Sequence, residues 1–199
     1  MGEMLPAFLS YVFVTTFTPG PNNVSSASMG ITYGYRKTLR YIFGITVGFA
    51  VIMFACGLLT ESLIGFLPKL ESVLRILGAI YMLYLAVAIL RASSHGGQSG
   101  DRVIATFTRG VLLQVVNIKV IVYGITVFSG FLVGVITNTW ELMAASILLS
   151  SFAFVSTSVW AVFGAALKRY FAKRTFTLAF NAVMAMLLVY SAAVISGLF

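Results

Sequence analysis

Charge is what this sequence has least of. Only 9% of its 199 residues are Asp, Glu, Lys or Arg, against about 25% in an average soluble domain. So few charges cannot clothe a soluble core of this length, which excludes the soluble globular class. Carboxylates are scarcer still. Glu3, Glu61, Glu71, Asp101 and Glu141 are the full set, and each falls in a loop or at the end of an apolar run. Hydrolytic or metal chemistry needs a carboxylate pair, a nucleophile with its base, or metal ligands. The apolar runs offer none, so no enzyme is expected. The one cysteine, Cys56, stands alone in an apolar run. It excludes a disulfide or thiolate metal site within one chain and reads as a small core residue. The one histidine, His95, sits in "SSHGGQSG" (93–100), a Gly/Ser-rich stretch that reads as a flexible loop. Neither a metal nor a cofactor is expected. Prolines number four, yet two of them stand together as Pro19-Gly20-Pro21 inside the first apolar run.

What is present is apolar. Hydrophobic residues make up 60% of the chain, in runs long enough to cross a bilayer, which takes about 20 residues. No period-two alternation marks a β-barrel. The expected class is an all-α integral membrane protein with six transmembrane helices. Their spans are placed at 5–33, 40–60, 72–90, 105–135, 141–167 and 177–198. The first span has no basic region before it and no small-residue cleavage site after it, so it is expected to be retained rather than removed as a signal peptide.

The net charge of +8 invites a nucleic-acid partner, but its distribution rejects one. Arg36, Lys37 and Arg40 lie between spans one and two. Arg91, Arg102 and Arg109 lie between three and four, and Lys168, Arg169, Lys173 and Arg174 between five and six. These are ten of thirteen basic residues, all in alternate loops. By the positive-inside rule those loops are cytoplasmic, which puts both termini on the outer, periplasmic side. The lipid bilayer is the partner that this pattern implies.

The stretch 93–103 divides the single transmembrane domain, 1–199, into pseudo-repeats of about 1–92 and 104–199, three spans each. An odd number of spans per half forces the halves into opposite orientations, the layout of an inverted-topology repeat. The out-of-place polar residues fit it. "TPGPNN" lies about fourteen residues into span one, and "LQVVNIKV" about a dozen into span four. At about 1.5 Å per residue both reach the membrane midplane.

Lys119 is the costliest residue to place, at about 2.5–3.5 kcal/mol near a span centre. It is expected to face a cavity or a partner, with snorkelling to the interface as the alternative. Gln114 and Asn117 are three apart and share a helix face. Local unwinding near 116–119 would bring them to one cavity with Lys119, while packing between helices remains their plainer role. Pro19-Gly20-Pro21 is expected to split span one into half-helices, with Asn22 or Asn23 capping the second. The free N–H groups and positive dipole end of that half-helix would then take an anion such as a carboxylate. A mere proline kink is the alternative. Carbonyls freed near Thr18, with Asn117 and Gln114, could take an ammonium. Substrate-binding candidates are therefore Thr18, Pro19, Gly20, Pro21, Asn22, Asn23, Gln114, Asn117 and Lys119.

Tyr81, Tyr84, Trp160 and Asn181 form a second tier of cavity candidates, and Trp140 fits an interfacial aromatic belt. Gly44 with Gly48, and Gly130 with Gly134, read as small-residue pairs for close helix packing. Such pairs serve packing between chains as well as within one, so a homo-oligomer stays open.

"FTPGPNN", "GAIYMLYLAVAILR" (78–91) and "QVVNIKVIVYG" (114–124) resemble the LysE/RhtB superfamily of amino-acid exporters, over nearly the whole chain. The combination is similar to the cysteine/O-acetylserine exporter branch. Many members carry Asn-Pro-Lys in span four, where this chain has Ile118 in place of the proline. The resemblance implies a secondary transporter that exports small neutral amino acids across a bacterial inner membrane. Homoserine, threonine or lysine as the substrate, or a passive amino-acid channel, are the alternatives. Proton antiport is expected of such an exporter, yet no buried Asp, Glu or His marks a relay.

Overall fold

The computed structural model describes residues 4–63, 67–94 and 105–196, and every regular element among them is helical. The first apolar run forms two helices, α1 (Met4–Phe17) and α2 (Pro21–Tyr33). Pro19 and Pro21 supply no N–H to the carbonyls of Thr15 and Phe17, four residues back, so α1 cannot continue. Pro21 then opens α2 at its first position, where the missing N–H costs nothing. Asn22 and Asn23 accordingly lie inside the first turn of α2. The residue before the helix is Gly20, in extended conformation with no side-chain cap, which corrects the expected asparagine cap.

The chain continues through α3 (Tyr35–Leu63) and α4 (Leu67–Ser94). Ser93 and Ser94 still belong to α4, while the rest of the expected loop, with His95, lies outside the described residues. The fourth run is again two helices, α5 (Phe107–Val116) and α6 (Ile118–Thr126), bent by 65° at Asn117. This break forms without a proline. The Asn117 N–H bonds back to the Gln114 carbonyl, and its own carbonyl accepts from Val120 and Ile121 as α6 begins. A π-helical turn (Val127–Phe131) extends α6. Then α7 (Thr139–Leu167) starts from an Asn138 cap, whose side chain accepts from the Glu141 N–H at 3.0 Å. The last helix, α8, spans Arg174–Ser196.

Among the described residues, three helices are long and apolar enough to cross a membrane alone, over Tyr35–Thr60, Thr139–Phe171 and Arg174–Val194; the bent α5–α6 pair, taken as one span, makes four. Their outward faces carry large exposed apolar side chains such as Val51, Ile147 and Met186, and Trp140 is exposed in the first turn of α7.

In lipid, helices associate mainly through close packing and interhelical hydrogen bonds. Glycines supply the closeness here. A Cβ on Gly30 of α2 would stand 2.1 Å from the Ala161 carbonyl oxygen of α7, and one on Gly164 of α7 would stand 2.1 Å from that of Ala27. Gly44 of α3 and Gly110 of α5 interlock the same way, and Gly48 lies against the Gln114 side chain. Gly130 and Gly134 do not pack: both face open space, and Gly134, with φ 73°, belongs to a turn. α4 packs mainly on α8, around Met82, Ala86, Ala185, Leu188 and Ala192. A central core around Met53, Cys56, Val127 and Leu149 joins α1, α3, α6 and α7.

Candidate functional site

Breaking α1 frees backbone carbonyls in the packed interior, and each unpaired one costs free energy. Side chains from four helices take them up. The Thr16 carbonyl accepts from Asn23 Nδ2 at 2.8 Å and from Ser156 Oγ at 2.9 Å. The Phe17 carbonyl, whose helical donor Pro21 lacks, accepts from Trp160 Nε1 at 3.2 Å. The Thr18 carbonyl accepts from Asn23 Nδ2 at 2.9 Å and Lys119 Nζ at 3.0 Å, and the Pro19 carbonyl from Ser191 Oγ at 2.8 Å. The Thr18 hydroxyl donates back to the Val14 carbonyl.

The second break meets the first through amides. Asn22 and Gln114 exchange two hydrogen bonds of 2.9 Å, and Asn117 Nδ2 donates to Asn22 Oδ1 at 2.8 Å. Gln114 also donates to the Gly110 carbonyl at 3.2 Å. Gln114 and Asn117 are both fully buried. Asn117 spends its NH2 group on Asn22, and its Oδ1 is left buried without a partner.

Between the breaks lies a cavity of about 40 Å³. Its wall includes Gly20, Pro21, Asn22, Asn23, Asn117 and Lys119, with Thr15, Thr16, Phe49, Val120, Tyr123, Ala153 and Thr157 completing it. α2 and α6 both begin here, so two positive helix ends converge on the space. The Asn22 and Asn23 N–H groups have no intrahelical acceptor. Lys119 alone is charged among the described lining residues. Its stem lies over Gly20, where a Cβ would come within 3.0 Å of both Cδ and Nζ, so glycine is what admits the lysine. The site is therefore electropositive, with Asn117 Oδ1 as a free acceptor. At this volume it holds a few waters at most.

Six of the nine sequence candidates thus line one cavity. Thr18 and Pro19 stand behind it as carbonyl acceptors, and Gln114 stands behind Asn22. The Thr18 carbonyl, expected to be open to a ligand's ammonium, is already taken by Asn23 and Lys119. None of the second-tier residues lines the cavity. Trp160 caps the Phe17 carbonyl, Tyr81 and Tyr84 stack on each other at 6.5 Å, and Asn181 is half-buried on α8. Sequence reasoning missed Ser156, Ser191, Phe49, Tyr123 and Ala153. The serines had a signal, as polar residues inside apolar runs. The others read as ordinary core. Among the described residues, no three His, Cys, Asp or Glu side chains cluster as metal ligands do.

The LysE type translocator family matches residues 13–196. The chain belongs to this family. Curated relatives cover 95% of both chains. A protein of Klebsiella pneumoniae subsp. pneumoniae is 35% identical over 189 residues, one of Salmonella typhimurium 33% over 189, and one of Escherichia coli (strain K12) 32% over 191. Each is named a cysteine/O-acetylserine efflux protein. No solved structure matches the chain. Membership makes it a multi-pass translocator rather than an enzyme, and its apolar helices fit that setting.

Proposed function

We propose that this protein exports small neutral amino acids of the cysteine and O-acetylserine kind from the cytoplasm across a bacterial inner membrane. The observation that carries the reading is the pairing of opposite demands in one cavity. Lys119 and the start of α2 call for an anion, and the buried Asn117 Oδ1 calls for a donor. An α-amino acid brings both in one molecule. Its carboxylate draws Lys119 from the Thr18 carbonyl, and its ammonium donates to Asn117 Oδ1. The relatives' names fit the same class of ligand.

The arrangement we propose is six spans in two inverted halves, with α1–α2 and α5–α6 as the broken first span of each. The breaks at corresponding positions support it, as does the pairing of α4 with α8, the third span of each half. The basic loops, and the ends of α2, α5 and α7 near them, are then cytoplasmic, and both termini are periplasmic. Alternation occurs by parting the broken spans on one side or the other.

Uptake of labelled amino acids into inside-out vesicles tests the function, with a panel of substrates and with or without a proton gradient. Vesicles holding the protein should accumulate cysteine or O-acetylserine above empty controls. Equal counts across the whole panel would reject export, and entry that only equilibrates would mark a passive channel.

A further inference from the structure

A second side chain on the cavity wall carries an unsatisfied polar atom. Tyr123, on α6, is 3% exposed and its hydroxyl is buried without a hydrogen-bond partner. Thr16 of α1 lies beside it, and both side chains line the cavity. The ring is held from two sides: Tyr11 stacks on it at 5.9 Å, and Phe49 of α3 meets it at 5.7 Å with a tilt of 48°. Held in this way, the hydroxyl keeps the Thr16 side chain as its near polar neighbour. Leaving it unpaired costs free energy, and packing alone would be served as well by phenylalanine. Ala153 and Thr157 of α7 also line the cavity, with Ala153 only 2% exposed. The polar groups that fit a carboxylate and an ammonium gather at the two breaks. Tyr123 and Phe49 give the same cavity an aromatic wall, against which the side chain of an anchored ligand can lie.

We infer that Tyr123 is the specificity-determining residue: its hydroxyl reads a sulfur or oxygen atom on Cβ of the transported amino acid, within a pocket that Phe49 and Ala153 keep small. This rests on the proposed export of amino acids and adds which side chains are accepted. A site built to bond a polar atom rejects the analogue that lacks it, because its own group is then left unpaired.

The test is equilibrium binding to the purified full chain, comparing L-serine and L-cysteine with L-2-aminobutyrate. That ligand has a methyl group where the others have a hydroxyl or thiol. The parent should favour serine and cysteine, and Tyr123→Phe should shrink that preference about tenfold. The phenyl ring keeps the contacts with Tyr11 and Phe49, and 2-aminobutyrate reports whether the variant still folds and binds. An unchanged preference, or an equal loss for all three ligands, would overturn the inference and leave Tyr123 as packing. A parent with no preference would mean that a trapped water satisfies the hydroxyl, which also overturns it. A parent that binds none of the three would overturn the export reading together with this one.

Discussion

Lys119 reaches across from α6 to the Thr18 carbonyl on the far side of the α1–α2 break. An ammonium placed on a carbonyl, with no carboxylate on the cavity wall, has a partner but not a counter-ion. That is a position from which an incoming carboxylate can take it. Lys119→Met keeps the stem and removes the charge. Substrate affinity should fall by about 1.5–3 kcal/mol, roughly ten- to a hundredfold. Membrane levels should hold or rise, because insertion no longer carries a charge. Titration of purified protein, normalised to folded material, checks this. Gln114 has a different role, since it reaches Asn22 and not the cavity. Gln114→Leu removes two hydrogen bonds from the half-buried Asn22 amide and should cost about 1 kcal/mol of stability. A lowered melting temperature with ligand affinity per folded molecule nearly kept is the expected result. A selective loss of binding would move Gln114 into the site.

The two broken helices were unequally legible. Pro19 and Pro21 announce the first break, because a missing N–H is a property of the residue itself. The second break at Asn117 has no such marker, since Ile118 stands where a proline was absent but expected. It could be placed only through the cluster of Gln114, Asn117 and Lys119. The asparagine cap failed for a related reason: Pro21 takes the first position of α2 and pushes Asn22 and Asn23 inside. The helix pairs α2–α7 and α3–α5 depend on partners far apart in sequence. Gly44 and Gly48 advertised themselves by spacing, whereas Gly30 and Gly164 did not. Restoring donors with Pro19→Ala and Pro21→Ala should let α1 run on into α2, keep insertion, and abolish export. Normal vesicle transport by that double variant would make the prolines a kink. Gly30→Ala puts a methyl group 2.1 Å from the Ala161 carbonyl oxygen and should cost about 1–3 kcal/mol. A thermal melt in detergent that matches the parent would show that α2 and α7 pack less closely.

At the scale of the whole molecule, charge and apolar run lengths were enough for the membrane class, and the helical structure follows them. Which side chains satisfy the freed carbonyls was beyond the sequence, because Ser156, Trp160 and Ser191 meet residues 16, 17 and 19 only through packing. Orientation is tested separately. A reporter active only in the cytoplasm, fused after Phe199, should be silent, and strong activity would reverse the proposed topology. The central claim is that one cavity between two broken helices recognises both poles of an amino acid. The direct measurement is binding of cysteine to the purified parent beside its two truncated forms, cysteamine without the carboxylate and 3-mercaptopropionate without the amine. Cysteine should bind at least tenfold more tightly than either, with Lys119→Met reducing its affinity to about that of cysteamine. Cysteamine binding as tightly as cysteine, or cysteine binding unchanged in Lys119→Met, would contradict the account.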